Sequence, residues 1–179
     1  MPLDHLTAMP VLVDYMKAQG NTDPVIVAPD AGRVKTAERF SQYLNADLAF
    51  VNKRRPKGMA HTVVALDVIG EVQGRHCVLV DDMIDTASTI VAAANILRDR
   101  GASDVWAVAT HGVLSDPAVD RLKNSEISRV VITNTLPLPP EKQIDKIEVL
   151  SVANIIASAI DAVFEDTSVS DIFGGTNQA

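Results

Sequence analysis

A single cysteine, Cys77, stands among the 179 residues. It excludes an intrachain disulfide framework and a cysteine-rich zinc site. Long hydrophobic runs are missing too: none approaches the roughly 18 residues of a membrane span. Met1 to His5 lacks the basic and then apolar regions of a secretory signal, so the expected setting is cytoplasmic. Basic residues are the minority, 16 Lys+Arg against 23 Asp+Glu, for a net charge of −7. That balance argues against general nucleic-acid binding. Internal repeats and low-complexity stretches are absent. With 47% hydrophobic residues and only nine Gly and nine Pro, a disordered or fibrous chain is excluded as well. What remains is a chain long enough to bury a proper core without staples.

The apolar segments are short, rich in Val and Ala, and spaced by helix-length stretches. Val25–Ala28, Leu48–Val51, Val63–Leu66, Cys77–Val80, Val105–Ala109 and Arg129–Thr133 read as strands. Near-continuous apolar strands point to burial on both faces, as in parallel sheets. Helical patterns cover Leu6–Gln19, Gly32–Leu44, Thr86–Arg100, Pro117–Lys123 and Ser151–Phe164. Gly101 reads as a helix stop behind Arg98 and Arg100. The alternation predicts an α/β fold, a mainly parallel sheet flanked by helices. One domain is expected over 1–173, with a flexible tail over 174–179.

The richest segment is Val78-Leu79-Val80-Asp81-Asp82-Met83-Ile84-Asp85-Thr86-Ala87-Ser88-Thr89. A buried strand runs into two acids, then a short loop with a third acid and hydroxyls, then a helix. Unpaired N–H groups and the helix dipole favour an anion there. Thr86, Ser88 and Thr89 add hydroxyl donors, and Ala87 and Ser88 are small enough for close approach. Asp81 and Asp82 lie at the carboxyl end of a strand, where ligands bind open α/β sheets. They can take sugar hydroxyls or a metal ion. Asp85 or Thr86 by itself reads as a helix cap; the whole string reads as a binding site.

Two other segments carry chemistry. Val25–Ala28 runs into Pro29-Asp30-Ala31-Gly32, where Asp30 is either a turn residue or a carboxylate placed for Mg²⁺. Lys53-Arg54-Arg55-Pro56-Lys57-Gly58 is a dense basic run in an acidic chain. It is either a solvated loop or a lid that carries cations to a transferring phosphoryl group. His111 reads as a hydrogen-bonded structural residue outside the active site, and Cys77 as an inert core residue.

The Asp81 segment resembles the phosphoribosyl-pyrophosphate signature of type I phosphoribosyltransferases and ribose-phosphate pyrophosphokinases. Ala28–Arg33, Val51–Pro56, Ala109–Ser115 and Val131–Thr135 are similar to the second of these families, in the same order along nearly the whole chain. The resemblance implies a type I phosphoribosyltransferase-like fold matching the second of two domains in that family. It implies that MgATP gives its diphosphoryl group to ribose 5-phosphate, forming AMP and phosphoribosyl pyrophosphate for nucleotide biosynthesis. Asp81, Asp82, Asp85, Thr86, Ala87, Ser88 and Thr89 would hold the sugar phosphate. Asp30, Ala31 and Gly32 would form the pyrophosphate loop, with Asp30 on Mg²⁺. Lys53 and Arg55 would be catalytic. The implied partners are ribose 5-phosphate, ATP and further copies of the chain in a dimer or hexamer, with no nucleic acid or membrane. The resemblance also relates Ser115, and the stretch from Ser168 to Phe173, to regulatory or subunit contacts. Two departures stand out. Ser88 replaces a usual glycine, which would strain a tight loop, and the family's first domain, with its adenine contacts and a metal-binding histidine, has no counterpart in this sequence. Two other functions remain open: a catalytically incomplete binding or regulatory module, and a phosphoribosyltransferase.

Overall fold

The computed structural model describes residues 4–20, 23–54 and 65–173. Among them the chain forms one sheet of seven strands, β1 (Val25–Ala28), β2 (Asp47–Arg54), β3 (Ala65–Ile69), β4 (His76–Ile84), β5 (Asp104–Gly112), β6 (Arg129–Thr133) and β7 (Ile147–Leu150). The spatial order is β3-β2-β1-β4-β5-β6-β7. Every pairing is parallel except β2 with β3. The helices are α1 (Met9–Ala18), α2 (Val34–Leu44), α3 (Ser88–Asp99), α4 (Ala118–Lys123) and α5 (Ala153–Phe164). None of them is long and apolar enough to cross a membrane.

The apolar strands are buried on both faces, as their composition predicts. Val25, Val27, Cys77, Leu79, Val105 and Ala107 pack on one side with Ile90, Ala93, Ala94 and Leu97 of α3 and Leu122 of α4. Ile26, Ala28, Val78, Val80, Trp106 and Val108 pack on the other with Leu12, Val13 and Met16 of α1 and Ala37 and Phe40 of α2. Adjacent strand residues alternate between the two cores, the period-2 rule of a pleated strand. Each fully buried Leu or Ile contributes about 1.5–3 kcal/mol by leaving water. Gly101 ends α3 as expected, at φ +85°, and Arg98 Nη1 donates to the carbonyls of Ala102 and Ser103 at 2.6 Å each.

Several expected boundaries move. The third strand, expected at Val63–Leu66, is Ala65–Ile69 and runs antiparallel to β2; Val63 and Val64 lie outside the described residues. It ends at Gly70, φ +119°, where a Cβ would lie 2.7 Å from Ala49 Cβ. β7 is an unexpected strand. β4 does not stop at Val80: its ladder with β5 continues through Asp81↔Ala109 to Ile84↔Gly112. The helix expected from Thr86 starts at Ser88, and the one expected from Gly32 begins as a 3₁₀ turn over Ala31–Arg33 before α2. Pro10 in the first turn sets the start of α1 near Met9 rather than Leu6, and α5 starts at Ala153 rather than Ser151.

Candidate functional site

The chain visits β2 on one side of β1 and β4 on the other, so the order of strands reverses between β1 and β4. Such a switch point leaves a crevice at the carboxyl ends of the strands. Here β1 delivers Asp30 and β4 delivers Asp81 to Asp85. Asp30, Arg33, Asp81, Asp82, Asp85 and the Thr86–Ile90 stretch line one cavity of about 280 Å³. Asp30 and Asp81, 51 positions apart in sequence, thus meet because two parallel strands are neighbours.

Ala87 makes the sharp turn between strand and helix, at φ 60° and ψ 5°. The loop strain expected at Ser88 is not found there: the left-handed residue is Ala87, and Ser88 itself is already helical. A left-handed alanine costs about 1–2 kcal/mol. The first residues of α3, whose N–H groups lack intrahelical acceptors, line the cavity just after this turn. The first helical bond is Val91 N–H to Ala87 O, 3.0 Å. Thr86 Oγ1 and Ser88 Oγ lie 3.2 Å apart. From α4, Arg121 Nη1 donates to Thr86 O at 2.8 Å and braces the loop.

The acids are not equivalent. Asp30 Oδ1 accepts the Gly32 N–H at 2.8 Å, so part of its capacity goes to capping the 3₁₀ turn. Ala31 and Gly32 are exposed beside the cavity. Asp81 is the most confined, with 14% of its side chain exposed. Burial pushes its carboxyl up to about 6, helped by the Asp82 side chain; the Asp82 N–H, donated to Asp81 Oδ1 at 2.8 Å, and the Arg33 guanidinium pull the other way. Arg33 Nε lies 2.8 Å from Asp81 Oδ1, and its Nη2 lies 2.8 Å from Asp82 Oδ1. That Asp82 oxygen is buried and makes no hydrogen bond among the described residues.

Arg33 and Arg121 are the residues that sequence reasoning passed over. Arg33 sat inside the quoted Ala28–Arg33 loop, but its ion pairs depend on β1 lying beside β4. Lys53 is placed by its backbone, opposite Leu66 near the end of β2; its side chain, and all of Arg55, lie outside the described residues. So does the expected tail over 174–179. His111 Nδ1 is 2.8 Å from Thr135 Oγ1, which fits its structural reading. Burial raises the Cys77 thiol to about 11, consistent with an inert thiol. The Ser168 and Ser170 hydroxyls bond each other at 2.6 Å.

Oxygen donors of this kind suit a hard cation. Among the described residues, however, no group of three or more His, Cys, Asp or Glu side chains is arranged to hold a metal ion. Mg²⁺ commonly uses one or two carboxylates and takes its other ligands from water and substrate phosphates. Confined Asp81 and the buried Asp82 oxygen fit that mode and not an all-protein cage.

The model of the phosphoribosyl synthetase-associated domain family matches residues 52–174. The chain belongs to this family. It is similar to the ribose-phosphate pyrophosphokinase of Streptomyces avermitilis, 55% identical over 173 residues, covering 96% of this chain and 53% of that protein. The enzyme of the same name from Bifidobacterium longum is 54% identical over 176 residues, covering 96% and 52%. The solved phosphoribosylpyrophosphate synthetase of Mycobacterium smegmatis superposes with a TM-score of 0.84 at 43% identity, over 92% of this chain and 53% of that one. The chain therefore spans about half the length of the relatives it matches. An adenine phosphoribosyltransferase from Thermoanaerobacter pseudethanolicus, TM-score 0.50 at 20% identity, shares the fold.

Proposed function

We propose that this chain is the ribose-5-phosphate-binding half of a ribose-phosphate pyrophosphokinase. The observation that carries the reading is the convergence of Asp30 and the Asp81–Thr89 segment on one cavity at the β1/β4 switch point. The relatives are about twice as long, and in this reading the rest of such a protein completes the reaction.

In this reading the Thr86–Thr89 loop, its hydroxyls and the N-terminus of α3 bind the 5-phosphate. Arg121 holds that loop through the Thr86 carbonyl. Asp81 and Asp82 orient the ribose hydroxyls, and Asp30, Ala31 and Gly32 border the pyrophosphate. In the same reading Asp30 would hold Mg²⁺, which would supply charge neutralisation at the nucleotide phosphates. Lys53 and Arg55 carry positive charge to the transferring diphosphoryl group, by resemblance to the family's catalytic pair. The anomeric hydroxyl of ribose 5-phosphate attacks the β-phosphorus of ATP, its oxygen forms the new P–O bond, and AMP leaves. No covalent enzyme intermediate is required, because such transfer depends on positioning and charge. A cytoplasmic setting and self-association belong to the same reading. α5 offers a face for the latter, since Ile156, Ile160, Val163 and Phe164 are exposed along it.

Calorimetry with ribose 5-phosphate, paired with an AMP-release assay, tests the proposal. The chain is expected to bind the sugar phosphate. A full-length relative-type protein carrying Lys53→Ala is expected to lose diphosphoryl transfer by about a hundredfold or more. No binding, or transfer surviving within a few-fold, would overturn the respective assignment.

A further inference from the structure

The acid pair at the centre of the crevice already has a cation, and it belongs to the chain. Arg33 stands at the end of the 3₁₀ turn that follows β1. Its guanidinium spans the two consecutive acids of β4, with Nε 2.8 Å from Asp81 Oδ1 and Nη2 2.8 Å from Asp82 Oδ1. The two carboxylates converge: the Asp82 side chain interacts with that of Asp81, and each presents an oxygen to the same guanidinium. One edge of the planar arginine fork meets both. Asp82 Oδ1 is buried from water and makes no hydrogen bond among the described residues. Arg33 Nη2 is beside it as a charge, without the geometry of a directed bond. That oxygen is compensated and not coordinatively satisfied.

We propose that Arg33 is a resident counter-cation of Asp81 and Asp82, which a divalent metal ion must displace to use these carboxylates. The inference rests on reading this crevice as the ribose-phosphate and cation site. A guanidinium cannot be deprotonated at working pH, so the ion pair persists until a ligand competes for it. Divalent ion and guanidinium seek the same oxygens, and like charges at such distances repel strongly in a partly dry site. Arg33 thereby holds metal affinity at the acid pair low until substrate phosphates supply further ligands. The guanidinium, 36% exposed, has solvent into which to swing.

The test is Mn²⁺ binding to the full chain at neutral pH, read by electron paramagnetic resonance of the free ion, with melting curves to verify folding. Arg33→Ala is expected to bind Mn²⁺ about tenfold tighter than the wild type. Arg33→Lys keeps the charge but loses the two-pronged contact, and should fall between the wild type and Arg33→Ala. Adding Asp82→Asn to Arg33→Ala should reverse most of the gain. If Arg33→Ala does not fold, Arg33→Gln, which keeps the stem and removes the charge, replaces it. Unchanged or weaker Mn²⁺ binding in the folded neutral variant overturns the proposal, and so does a gain that survives Asp82→Asn. Ribose 5-phosphate calorimetry on the wild type is read separately. A failure there with the Mn²⁺ gain intact overturns the functional reading and leaves the role of Arg33 standing.

Discussion

β4 and β5 are neighbours in register, Met83 opposite His111 and Ile84 opposite Gly112, yet their carboxyl ends are built in opposite ways. The end of β5 closes on itself. Thr133 Oγ1 donates to Thr110 O at 2.7 Å, Thr135 Oγ1 donates to the same carbonyl at 3.2 Å, and His111 shares a hydrogen bond with Thr135. The end of β4 leaves its groups in reserve. Asp81 is held with a raised pKa, Asp81 and Asp82 share one exchangeable guanidinium, that of Arg33, an Asp82 oxygen makes no hydrogen bond among the described residues, and a helix N-terminus follows. Polar groups that satisfy one another stabilise a fold. Polar groups kept short of partners are costly to the fold and available to a ligand. The same sheet edge therefore holds a structural cluster and a binding crevice side by side.

The comparison breaks most readily at Asp81. Asp81→Ala is expected to weaken ribose 5-phosphate binding about a hundredfold, roughly 3 kcal/mol, whereas His111→Gln leaves it within about twofold; calorimetry reads both. Next comes pH. The folded chain holds the Asp81 proton up to about 6, against an ordinary value of 3.8. Between those values the folded state binds more protons than the unfolded state, so this group's contribution to stability falls as pH rises from about 4 to 6 and is level above it. Its size is on the order of 3 kcal/mol at most, and denaturant melts of Asp81→Asn should lack that slope. At the strained turn, Ala87→Val should destabilise the chain by about 1.5 kcal/mol, because a β-branched residue is poorly suited to φ 60°. Ala87→Gly should stay within about 1 kcal/mol of the wild type. The smallest effect belongs to the satisfied cluster. Thr133→Val removes a buried hydroxyl bond, costs about 1 kcal/mol in the same melts, and leaves ribose 5-phosphate affinity unchanged.

The central strands were legible because burial on both faces leaves little choice of residue: Val25–Ala28 is apolar at every position. The Asp81–Thr89 string was legible because acids, small residues and hydroxyls rarely follow a buried strand by accident. β7 escaped notice because Ile147-Glu148-Val149-Leu150 is a partly exposed edge strand with a charge in its middle, and its identity comes from pairing with β6. The extension of β4 through Asp81 and Asp82 also went unseen, because aspartate is a poor strand former and only the β5 ladder holds it there. Arg33 shows the limit most plainly. Its partners lie 48 and 49 positions away, and no local pattern announces a contact that depends on β1 lying beside β4.

Amide chemical-shift mapping of the chain with ribose 5-phosphate tests the central claim most directly. The account predicts saturable shifts at Asp81, Asp82 and Thr86 to Ile90, with Thr110, His111, Thr133 and Thr135 unmoved. Shifts absent from Thr86 to Thr89, or centred on the β5 end instead, would contradict it.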